Sequence, residues 1–136
     1  MLGLGMGMPV AGGGLGPELI TNGSFTTDTS WTKGTGWTIS GGTANADGTG
    51  SFTEISQVIA GLVIGAVYRV TIDVVTYTSG NGAVRVGGID AIVSPAILSP
   101  GTKTADITYT GITNTALITM NPIVATFDNF SVRQVL

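Results

Sequence analysis

Cysteine and histidine are both missing from this 136-residue chain. Without cysteine there is no disulfide framework and no thiolate zinc site. Without either residue no Ser-His or Cys-His nucleophile pair can form, and the bases left for a serine, Lys33 and Lys103, sit in turn-rich sequence. Charge is scarce too: only 10% of residues are charged, and the five Lys and Arg are dispersed along a chain of net charge -3. Phosphate binding rests on clustered cations, so nucleic acid is not an expected partner. The eight acidic residues form no recognisable pair of the kind a glycosidase needs across a cleft. Gly3, Gly5 and Gly7 lack the strand, helix and Lys of a phosphate loop. An enzyme is not expected, and no cofactor is implied.

Long apolar runs are also lacking, despite a mean hydropathy of +0.44. Ile55 to Tyr68 is too short to span a bilayer and carries Ser56, Gln57 and two glycines, while Ile107 to Phe127 is rich in Thr and Asn. No membrane span is expected. The first basic residue is Lys33, so the apolar start lacks the basic flank of an ordinary secretory signal. Low charge with high hydropathy suggests surface that other subunits cover.

What the chain does contain is glycine, 22 residues of it, and short alternating segments. Residues 1–16 read as an extended Gly-rich arm, with a flexible stretch at Gly12 to Gly14 and a boundary at Pro17, and residues 17–136 read as one domain large enough to bury its own core. Strands are expected at about 18–22, 36–40, 43–46, 51–59, 66–77, 82–87, 89–93, 104–110, 115–120 and 123–135. In the clearest, Tyr68, Val70, Ile72 and Val74 share one face while Arg69, Thr71, Asp73 and Tyr77 share the other, with Val75 the aliphatic exception. Val84 and Val86 flank Arg85, and Ala105, Ile107 and Tyr109 repeat the alternation. Gly41-Gly42 and Gly80-Asn81-Gly82 read as tight hairpin turns. Phe127 and Phe130 can share a face only if the last strand bulges near Asp128-Asn129. No segment has a helical period, and many short strands joined by turns make a sandwich or barrel.

The order of motifs is more telling than any one of them. Asn22-Gly23-Ser24-Phe25 is followed by Trp31 and Trp37, then Ile55-Ser56-Gln57, then Leu62 to Tyr68 with Gly65, and finally Asp128-Asn129-Phe130-Ser131-Val132. Over residues 18–135 this order resembles the carbohydrate-binding-module family 4/9, particularly copies in tailed-phage virion proteins. The resemblance implies an all-β jelly-roll β-sandwich of the galactose-binding-like kind, whose first and last strands lie together. It also implies a virion structural protein, on a capsid, tail or fibre, whose partners are other virion proteins and copies of itself. The alternative is a carbohydrate-binding adhesin that recognises surface glycans. Many members of the family hold a structural calcium near the first and last strands; here Thr26 stands where relatives are often acidic, and no metal ligand set is assigned, Asp128 being expected to bond backbone instead.

Glycan binding in such modules relies on aromatic stacking, for which Trp31 and Tyr77 are the candidates, each reading equally well as core. Trp37, at a strand start, reads as core. Arg69, Asp73 and Arg85 read as a solvated outer face or as the lining of a polar groove. In the arm, Leu2, Leu4, Met6, Met8 and Val10 take every even position and Gly3, Gly5, Gly7 and Pro9 the odd ones. An extended segment so patterned has one apolar face, suited to a groove or sheet edge, and the arm is expected to be an assembly device rather than a low-complexity tail.

Overall fold

A computed structural model of the chain describes residues 14–136. The strands are β1 (Thr32–Lys33), β2 (Trp37–Ser40), β3 (Thr43–Asp47), β4 (Glu54–Val58), β5 (Val67–Val86), β6 (Ile89–Ile92), β7 (Gly101–Thr108) and β8 (Thr115–Gln134). One 3-10 turn, Ala96–Leu98, is the only helical segment among the described residues. The all-β expectation holds.

The spine is an antiparallel pair, β5 with β8, running from Tyr68↔Gln134 at one end to Val86↔Ala116 at the other. Each strand has 20 residues, far beyond the usual length of about 3–10. Such a ribbon cannot stay flat, and it is broken by four register shifts. Between Thr71 and Asp73 the extra residue is in β8, between Ser131 and Asp128, where Asn129 has a φ of 52°. This is the bulge that puts both Phe127 and Phe130 inside. Between Val74 and Thr76 the extra residue is Val75, which is why an aliphatic side chain breaks the alternation there and faces solvent.

At two places the chain runs on where the sequence suggests a turn or a break between strands. Gly80-Asn81-Gly82 is not a hairpin turn, nor does the chain break near Asn121-Pro122; each lies inside one of the long strands, and they face each other at the last register shift. Alternating patterns on either side of a bulge look like two strands, because the phase of burial changes while the pairing continues. By contrast, Gly41 and Gly42, with φ of 63° and 79°, do make the two-residue hairpin between β2 and β3.

On one half of the ribbon β7 pairs with β5 from Val67 to Val74. On the other half β6 lies on β5, and β4 followed by β1 lies on β8, while the β2–β3 hairpin joins the middle of β8 at Val124 to Phe127. The ribbon folds over its bulges into a sandwich, so that Tyr68, Val70, Ile72 and Val74 from one half and Val84, Val86, Ile118 and Met120 from the other share one apolar cluster.

Residues 18–22 are not a strand, although they lie beside β8 as expected of a first strand. Gly16 N–H donates to Gln134 O and Leu19 N–H to Val132 O, and Gly23 O accepts from Phe130 N–H. The ladder is interrupted because the Glu18 carboxylate takes the Val132 N–H at 2.8 Å, in place of a backbone carbonyl. Gln57 completes the seam, its amide exchanging two hydrogen bonds with the Thr21 backbone. Just ahead of Pro17, Leu15 bridges Val135, and Gly16 is buried and accepts from Arg133 Nε.

Candidate functional site on the outer sheet face

The proposed sugar platform Trp31 belongs to the core. It is 8% exposed, sits between Phe25 and Phe130 at ring-centroid distances of 5.2 and 5.6 Å, and donates its indole N–H to Asn22 O at 2.9 Å. No ring face is left for a ligand. Trp37 is buried against Phe127, as expected of a core residue. Tyr77 is half-buried, packs on the core, and spends its hydroxyl on Gly80 O. The five apolar arm residues, Leu2, Leu4, Met6, Met8 and Val10, lie outside the described residues.

The outer faces of the two sheet halves differ in how far their polar groups are already used. Over β7, β5 and the end of β8, nearly every side chain is paired with a neighbour. Arg69 grips Asp106 through two bonds of 2.8 and 2.9 Å, Thr71 meets Thr104, and Asp73 accepts from Thr102 and Asn129. The Arg69 guanidinium holds the Asp106 carboxyl below its ordinary value, chiefly by hydrogen bonding, and is itself raised. This face reads as a self-satisfied polar sheet.

The other half carries a shallow groove of about 270 Å³ lined by Phe52, Glu54, Asn81, Arg85, Thr119 and Asn121, with Gly82 and Ala83 as its floor. Alternation explains the lining: in β4, Ile55 and Gln57 point inward and leave Glu54 outward. Glu54 is opposite Thr119, which in turn is opposite Ala83, so three strands present one row to solvent. Asn81 and Asn121 stand at the register shift between Gly80 and Gly82, where the backbone bends. Arg85 donates to Asp90 at 2.5 Å across β6, an exposed pair that leaves other guanidinium donors free. Asn81 Oδ1 accepts from Gly82 N–H and from Ser94, leaving its amide donors available. Among the described residues, the Glu54 carboxylate and the Asn121 amide make no hydrogen bond.

Phe52 closes one side of this groove, 74% exposed and held at a φ of 56°. A bulky residue in the left-handed region is uncommon, costs energy, and persists where surrounding structure imposes it. Of the polar residues noted in the sequence, Arg85 lines the groove, whereas Arg69 and Asp73 lie on the other half. The sequence pattern puts Phe52 inside an expected strand at 51–59, whereas β4 begins only at Glu54 and leaves Phe52 in the Gly/Ser/Thr stretch ahead of it.

The residues around the first and last strands do not fit a calcium ion. A hard cation needs six to eight oxygen ligands, yet both Glu18 oxygens are engaged by N–H and O–H donors from Ile20, Val132 and Ser131. Asp128 accepts from the Asn129 N–H, as the sequence suggests. The carbonyls of Thr27 and Thr29 converge on Asn22 Nδ2 at 2.7 and 2.9 Å, so an amide already takes the oxygen pair.

No family model matches the chain, and no curated protein matches it. Among solved structures it is similar to CBM35 from Paenibacillus barcinonensis, with 18% identity over 88% of this chain and 98% of that one and a TM-score of 0.48.

Proposed function

We propose that the chain is a non-catalytic glycan-binding module whose ligand lies in the groove over β4, β8 and β5. The observation that carries this reading is Phe52, an exposed ring fixed at positive φ beside unpaired carboxylate and amide groups. Sugar rings offer one apolar C–H face and an edge of hydroxyls, so they match an aromatic face flanked by hydrogen-bonding side chains. A groove of about 270 Å³ is below the roughly 300–1,000 Å³ of pockets that engulf a small molecule. It suits a stretch of polysaccharide laid across the surface. Within a virion, the setting implied by the sequence resemblance, such a module would hold the particle to surface glycans.

The test is retention on polysaccharides in affinity electrophoresis, preceded by a broad glycan array to find the ligand. Phe52→Ala should weaken binding by about tenfold, the size of one lost aromatic contact, with no loss of thermal stability. An array silent for the natural sequence, or undiminished retention of Phe52→Ala, refutes the reading.

A further inference from the structure

Strand β7 is an edge. It pairs with β5 alone, and among the described residues no hydrogen bond reaches the backbone on its other side. The ladder decides which groups point there. Tyr109 N–H donates to Ala66 O and Tyr109 O accepts from Gly65 N–H, and the register from Thr108 back to Gly101 is unshifted, so Ile107, Ala105, Lys103 and Gly101 also turn their backbone groups to β5. The N–H and C=O groups of Thr102, Thr104, Asp106 and Thr108 therefore point away from the sheet. An edge of 8 residues is a template for pairing with another chain unless something blunts it.

Beside this edge lies a groove of about 450 Å³, with β7 from Thr102 to Ala105 as one wall and Ile92, Val93, Pro95 and Ala96 as the other. Lys103 stands on the groove side of β7, the side shared by Ala105 and the buried Ile107. Its ammonium reaches only Ser99 Oγ, at 3.0 Å, whereas Lys33, Arg69 and Arg85 each hold a carboxylate. No acidic residue lines the groove. A wholly apolar strand laid here would bury the ammonium unpaired, so Lys103 turns such strands away. It also disfavours a second β7, because a two-fold pair centred on Thr104 would set the two Lys103 side chains diagonally opposed, about 7–8 Å apart on one face.

We propose that β7 accepts an extended acidic segment of another protein as an added strand. At the ordinary strand spacing of about 4.8 Å, the segment exchanges backbone hydrogen bonds with Thr102, Thr104 and Asp106. Its alternate side chains fall on the groove side, where a carboxylate meets Lys103 and the next residue on that face, an aliphatic one, packs against Ile92, Val93 and Pro95. Main-chain pairing supplies the affinity, and the charge in the groove supplies the choice of partner. This inference does not depend on the glycan groove, which is lined by other residues.

The test is selection of a phage-displayed library of short random peptides on the full chain. Enriched sequences should place Asp or Glu one residue apart from Val, Ile or Leu, so that both share a face. A synthetic copy at saturation should slow amide exchange at Thr102, Thr104 and Asp106 by about tenfold or more. Thr104→Pro removes an outward N–H without cutting the ladder to β5, so it should keep the parent's thermal midpoint and weaken peptide binding by about tenfold. Lys103→Glu should weaken binding likewise, and exchanging the peptide's acidic residue for Lys should restore it. If Thr104→Pro lowers the midpoint, the Lys103→Glu comparison carries the test alone. A library without enrichment overturns the proposal, as does binding that Lys103→Glu leaves undiminished. Protection of the same amides without peptide overturns it as well, since the edge is then already taken; a dimer in light scattering would identify the occupant as a second copy.

Discussion

Gly80→Ala separates the observed ribbon from the hairpin that the sequence suggests. Gly80 has a φ of 90°, and a methyl group there would stand 2.0 Å from Pro122 O and 2.7 Å from Ile123 Cα. Both are backbone atoms of the facing strand, so relief requires β8 to move away from β5. Left-handed backbone costs a non-glycine residue about 1–2 kcal/mol, and forcing packed elements apart adds about 1–3 kcal/mol. The expected loss is thus about 2–5 kcal/mol. Gly41 is the internal control: its φ is 63°, but nothing lies within 4 Å of a methyl group there. Gly41→Ala should cost only the conformational share, about 1–2 kcal/mol. Urea denaturation of the two variants and the parent, monitored by tryptophan fluorescence, measures both losses, with unchanged slopes required for the comparison. If the two substitutions cost the same, Gly80 stands in an open turn and the close approach of β5 to β8 is wrong.

Trp31→Ala should lower stability by about 3–5 kcal/mol, as for other large buried aromatics; a thermal midpoint equal to that of the parent would return Trp31 to the surface. Acid should destabilise the fold in a specific window. Asp47, held below its ordinary value of 3.8 by hydrogen bonds from Thr49, and Asp106, held below it by Arg69, bind fewer protons folded than unfolded in that range. Stability is therefore full above about pH 4 and falls as pH drops through the lowered folded values. Asp106→Asn should flatten the pH dependence of unfolding free energy below pH 4, measured by urea titrations; an unchanged slope would remove Asp106 from the account.

Local physical chemistry made much of the fold legible in advance. Period-two alternation identified Tyr68, Val70, Ile72, Val74, Val84, Val86 and Ile107 as inward-facing, and all are buried. Two glycines between alternating segments marked the β2–β3 hairpin, because positive φ at successive positions is nearly a glycine property. Even the bulge at Asp128-Asn129 followed from two phenylalanines an odd number of residues apart. Each of these signals lies within a few residues of what it specifies. What the sequence could not express was decided by partners distant along the chain. Whether Gly80 turns or bends depends on the Pro122 carbonyl it must face, and whether Trp31 is a platform depends on Phe130, 99 positions away. The groove likewise brings Phe52, Arg85 and Asn121 together from three separate stretches. Alternation says which way a side chain points from its own strand, but only the folding of the long ribbon decides what stands opposite it.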